Sequence, residues 1–148
     1  MTRSASQMTP DELARACAEA MWQNDDASRG LGMSLDHVGP GTATLSMTVE
    51  QRHTNGHDIC HGGFIFTLAD SAFAFACNSY NNIVVAQHNS ITFVAPGKLG
   101  DRLTAVAREV ARFGRSGIYD ARVTDQNGTL IAEFRGNSRA IKGTHIPD

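Results

Sequence analysis

Apolar positions run almost unbroken from Gly62 to Asn78, GGFIFTLADSAFAFACN, interrupted by one acid, Asp70. The length of the run, its four alanines and its lack of valine predict a helix rather than a strand. Apolar on every side, such a helix belongs in the middle of a fold. A different helix is predicted at the start. In TPDELARACAEAMWQND, Thr9 is placed to cap, Pro10 to open the first turn, and Leu13, Ala16, Cys17, Ala20 and Met21 to share one face. MSLDHV and TATLSMTVE read as strands joined by the turn GPG, and QRHTNGHDICHGG as a long polar loop. After the central helix come four strand-like runs: NIVVAQHNSITFVA, DRLTAVAREVAR, SGIYDARVTD and TLIAEFRGNSRAI. PGKLG, FGR and QNG separate them, and such short links predict an antiparallel meander.

These elements predict an α+β fold. One antiparallel sheet of about six strands carries a long helix inserted after the second. The pattern is that of a single domain over residues 1–148, with a flexible lead over 1–8 and the N-terminal helix over 10–28. A helix apolar all round needs more cover than one flat sheet face. Either the sheet curls around it or a second subunit covers the rest.

Composition narrows the setting. A 41% hydrophobic and 19% charged chain is too apolar for disorder, and a net charge of −2 gives no general attraction for nucleic acid or anionic lipid. Charge is uneven: residues 1–100 hold five Lys/Arg against nine Asp/Glu, and residues 101–148 hold eight against six. An anionic ligand is therefore expected at the C-terminal third. Three cysteines without a C-x-x-C pair, and no secretory pattern at the start, predict a reduced, cytoplasmic protein. No apolar run reaches membrane-spanning length, so no membrane is expected.

Candidate chemistry gathers on the central helix. Its start, His61-Gly62-Gly63, offers unpaired N–H groups with the positive end of the helix dipole behind them, a corner able to hold an oxyanion. The same glycines also serve as an ordinary helix start. Gly63, Thr67, Asp70 and Ala74 share one face, small residues around one acid that could act as general base or nucleophile. An Asp bonded to a neighbouring loop or facing solvent fits that pattern too. Gly62 and Asp70 lie about 12 Å apart along a helix, too far to serve one carbonyl. Two antiparallel copies of the helix across a dimer axis would bring Gly62 of one chain to Asp70 of the other. His53, His57 and His61 recur every four residues, but Asn55-Gly56 breaks helical geometry, and no metal is expected. Cys60 has no neighbouring base to make it a nucleophile.

NGHDICHGGFIFTLADSAFAFACNS, NSITFVAPGKLGD, GRSGIYD and AEFRGNS together resemble the phenylacetate-degradation branch of the hotdog acyl-CoA thioesterases, from about Trp22 to Lys142. The resemblance implies a curved sheet wrapped around the central helix, and hydrolysis of acyl-CoA with no cofactor beyond the substrate's own CoA. It makes Asp70 the carboxylate that activates water or attacks the thioester, and Gly62 the N–H donor to its oxygen. Asn55 would position water or the acyl group, and His61 would orient the loop. It also implies homo-oligomers, as dimers of dimers. Gly63, Thr67, Phe64 and Phe73, with Phe66, suit an aryl or medium acyl group, and the resemblance suggests hydroxyphenylacetyl. Lys98, Arg112, Arg115, Arg135 and Arg139 are candidates for the CoA phosphates, with Gly114, Ser116 and Gly117 giving the pantetheine arm close backbone approach. Two other activities stay open on the same fold: passive binding of an acyl-CoA or hydrophobic metabolite, and a hydratase or dehydratase.

Overall fold

The computed structural model describes residues 3–148. Helix α1, Pro10–Trp22, opens as predicted: Thr9 Oγ1 accepts from Glu12 N–H, and the Glu12 carboxylate accepts from Thr9 N–H. It stops short of residue 28. Asp25 takes both the N–H and the hydroxyl of Ser28, which caps a new short helix, α2, Asp26–Gly30. Within the lead expected to be flexible, residues 1 and 2 lie outside the described residues. Ala5–Gln7 form a 3-10 turn whose buried Ala5 donates its N–H to Pro147 O.

Six strands follow: β1 Ser34–Gly39, β2 Thr42–Thr48, β3 Ile83–Phe93, β4 Arg102–Phe113, β5 Ser116–Thr124 and β6 Leu130–Ile141. Between β2 and β3 comes α3, Gly62–Cys77, at the predicted position. All neighbours are antiparallel, in the order β1-β2-β4-β5-β6-β3. Only β4-β5-β6 is a meander. β3 pairs with β6 instead of its sequence neighbour β4, which corrects the reading of the C-terminal half. The link over residues 94–101 crosses the end of the sheet. Val94 and Ala95 donate to Ile131 O, Cys60 N–H reaches Gly97 O, and Gly100 N–H reaches Val49 O. Eight extended residues span up to about 27 Å, whereas three strand spacings need only about 14 Å. A short link therefore never required adjacency.

The sheet curls over α3, and Leu68, Ala72, Phe73, Phe75 and Ala76 pack into one core with Leu45, Met47, Leu103, Tyr119 and Phe134. One stripe of the helix stays open: Gly63 is exposed, and Thr67, Asp70 and Ala74 are half-buried. The open stripe runs beside β3, a sheet edge. No described helix is long and apolar enough to cross a membrane.

Candidate active site

His61 begins the site as the N-cap of α3. Its Nδ1 accepts from Gly63 N–H at 2.9 Å, and its ring stands edge-on to Phe64. His61, expected to orient the loop, is placed as a helix cap that consumes the second glycine's donor. Gly62 N–H has no acceptor among the described residues. It is a free amide on the first turn, where the helix dipole favours negative charge. A Cβ at Gly62 would meet the Phe93 ring at 3.0 Å, so glycine is what lets this aromatic from the end of β3 lie on the corner.

Two turns along, Asp70 is half-buried on the open stripe. Burial pushes its carboxyl above the ordinary range, and a hydrogen bond from Asn89 pulls partly against that. The donor is Asn89 Nδ2, 3.0 Å from Asp70 Oδ1, and Oδ2 has no hydrogen-bond partner among the described residues. Asn89 escaped the sequence reading because it is an ordinary polar residue in a strand. The β3–β6 register, with Asn89 opposite Gly136, is what turns it toward the helix.

Asn55 organises the preceding loop: its Oδ1 accepts from His57 N–H, and its own N–H bonds to Ile59 O. The three-histidine spacing dissolves into structure. His53 is sealed, its Nδ1 accepting from Glu50 N–H and its Nε2–H donating to Leu31 O. Neither His53 nor His61 is bonded to Asp70. Cys60 is buried, and burial pushes its thiol up to about 11, which leaves it unreactive.

Of the residues expected around the acyl group, Thr67 lies on the open stripe, its hydroxyl donating to Gly63 O. Phe64 is half-buried between the rings of His53 and His61. Phe73 belongs to the core, 1% exposed and packed on Tyr119 and Phe134. The expected CoA contacts fall into three places. Arg112, Gly114, Arg115 and Ser116 line a cavity of about 90 Å³ beyond the C-terminal end of α3, beside Tyr80 and Cys77. Arg112 is stacked on Tyr80 and lies 3.8 Å from Glu109, whereas Arg115 has no ion pair among the described residues. Gly117 is glycine for packing, since a Cβ there would meet Ser138 Oγ at 2.7 Å. Arg135 is held in a two-point pair with Asp120, and Lys98 sits in the 94–101 crossing, at the other end of β4 from Arg115. A larger groove of about 400 Å³ lies between α1 and β1, lined by Arg15, Trp22 and His37, and includes none of the candidate residues.

A helix held in a curled antiparallel sheet, with a free amide at its start and one acid on its open stripe, defines a class. The chain has the hotdog fold and belongs to the Thioesterase superfamily, whose family model matches residues 57–132. It is 42% identical over 127 residues to the acyl-coenzyme A thioesterase PaaI of Escherichia coli (strain K12), covering 86% of this chain and 91% of that protein. The structure of the E. coli PaaI protein from the phenylacetic acid degradation operon matches with a TM-score of 0.90 and 40% identity, covering 92% of this chain and 99% of that one. The smu.793 protein from Streptococcus mutans UA159 bound to acetyl CoA matches with a TM-score of 0.72 and 26% identity, over 76% of this chain and 90% of that one. The chain is thus an acyl-CoA thioesterase.

Proposed function

We propose that this thioesterase hydrolyses aryl-acyl-CoA of the (hydroxy)phenylacetyl type at two equivalent sites shared across a homodimer. The observation that carries the reading is the pair of unused groups on one helix, Gly62 N–H and Asp70 Oδ2, set about 12 Å apart. Gly62 N–H of one protomer holds the thioester oxygen as negative charge develops there. Asp70 of the other removes a proton from water as its oxygen attacks the carbonyl carbon. Collapse of the tetrahedral intermediate breaks the C–S bond and releases CoA thiolate, which takes up a proton. If Asp70 itself attacks, the C–S bond breaks and CoA thiolate leaves as the mixed anhydride forms, and water then opens it at the Asp70 carbonyl; one turnover in ¹⁸O-water labels Asp70 only by that second route.

Edge strand β3 supports the dimer. Its eleven residues include no Lys, Glu, Asp or Pro to block pairing, and Val85 and Phe93 are about half exposed. A second copy added there would cover the open stripe of α3, and two such dimers would make the dimer of dimers that the sequence resemblance implies. Phe66 and Phe93, half-buried or exposed near Gly62, support an aryl acyl group. Arg115, without an ion pair among the described residues, is the favoured phosphate contact. The proposed route uses no metal or bound cofactor.

The test is a panel of aryl-acyl, medium-chain and acetyl CoA esters with the wild type and Asp70→Asn. Aryl esters should show the highest kcat/KM, and Asp70→Asn should lose about 10²- to 10⁴-fold in kcat. Near-wild-type turnover in Asp70→Asn removes the carboxylate from the mechanism; a flat panel removes the aryl preference.

A further inference from the structure

Asn89 is chemically misplaced for an ordinary core-facing position on a strand. Its Nδ2 donates to Asp70, yet its Oδ1 is buried without a donor, the one such side-chain atom among the described residues. Rotating the amide would not relieve this, because it would set Oδ1 against the Asp70 carboxylate, acceptor against acceptor. A small apolar side chain would fill the same position without leaving a buried oxygen unpaired. What asparagine supplies, and alanine or valine does not, is one N–H to one carboxylate oxygen.

The surroundings are built to bring that N–H close. Asn89 lies opposite Gly136, and a Cβ on Gly136 would meet the Phe73 ring at 2.8 Å. Glycine there lets Phe73, three residues after Asp70 on α3, settle onto β6, which draws the helix against this stretch of the sheet. We propose that Asn89 is the positioning residue of the hydrolytic site: it holds Asp70 Oδ1 so that Oδ2 is left for the reacting water. The inference rests on the role given above to Asp70. A neutral amide suits the task, since it orients the carboxylate without neutralising it as an Arg or Lys would.

The carboxylate's charge state follows from the same bond. Burial favours the protonated acid, and the Asn89 N–H favours the carboxylate that acts as base. Cys77, two turns along the helix, senses the Asp70 charge but stays neutral, its thiol pushed up to about 12 by burial. From the facing strands, Asn89 is the one side chain hydrogen-bonded to Asp70 among the described residues.

The test follows kcat/KM against pH and the Asp70 carboxyl carbon by NMR titration in the wild type, Asn89→Ala, Asn89→Ser and Asn89→Asp, with thermal melts on each and turnover of Asp70→Asn alongside. Asn89→Ala and Asn89→Ser should lose about tenfold in kcat and move the acid limb and the NMR titration up by about one pH unit, with a lower melting temperature at pH 7 that returns toward the wild type's as the pH falls and Asp70 is protonated in both states. Asn89→Asp, a second carboxylate beside the first, should move both further. A drop in melting temperature with the limb and titration unmoved would show a structural residue and overturn the proposal. If Asp70→Asn is inactive while every Asn89 variant keeps the wild-type profile, Asn89 alone is dismissed. If Asp70→Asn stays active, the parent reading fails and this one with it.

Discussion

Asp70 stands where an ionised carboxylate is hard to keep, and the consequence appears in stability as well as in rate. Its pKa is raised in the folded protein by burial. The folded state therefore holds the proton to higher pH than the unfolded chain does. Above the ordinary carboxylate range, folding bears the cost of desolvating the charge; below it, both states are protonated and the cost disappears. Asp70→Asn should accordingly melt higher than the wild type at pH 7, with the difference closing as the pH falls through the raised folded pKa toward the ordinary value of about 3.9. Thermal melts of both proteins across that range check this, and a lower melting temperature for Asp70→Asn at pH 7 would contradict it. At this scale the sequence singled out Asp70, Gly62 and His61 as candidates by type and spacing, and the structure places all three on α3 or at its cap. It was a poor guide to Asn89 and Phe93, which are ordinary strand residues until β3 turns them toward α3. It also offered Phe73 and Gly117 as substrate contacts, where packing explains both.

At the scale of the element, the working unit is α3 pressed against β6 and β3. His61 caps its start, and Asn78 closes its end by donating to Ala74 O and Val84 O while accepting from Val84 N–H. Between these two ends, the contact of Phe73 with Gly136 sets how closely helix and sheet approach. Gly136→Ala should overpack this contact and destabilise the protein by about 1–3 kcal/mol. Adding Phe73→Leu should recover part of that loss, which urea unfolding of the single and double variants measures. Equal losses in Gly136→Ala and the double variant would show that the ring does not set the approach. The helix was legible from composition and length alone. α1 ran shorter than its periodicity predicted, since Asp25 found a better use as a cap for α2.

For the whole molecule, the proposed site is split between two copies, and that division can be tested without a further structure. Gly62→Pro removes the N–H at the first helical position, where proline is tolerated; His61 before it already has the extended ψ of 133° that a following proline favours, and the half-exposed Phe93 ring can turn aside. Alone, Gly62→Pro and Asp70→Asn should each be nearly inactive. Mixed and re-associated, half of the dimers are hybrids with one intact site each, so activity should recover to about a quarter of wild type. Verified hybrids without recovery would exclude a shared site. The sequence by itself determined which segments are strands and helices and which acid and amide are the candidates for chemistry, because periodicity, capping and side-chain type are local properties. Only the tertiary structure decided that β3 pairs with β6, that Asn89 holds Asp70, and that one stripe of α3 lies open beside an unpaired edge. Those outcomes depend on register and on the path of a crossing loop, and contacts between residues distant in the chain set both.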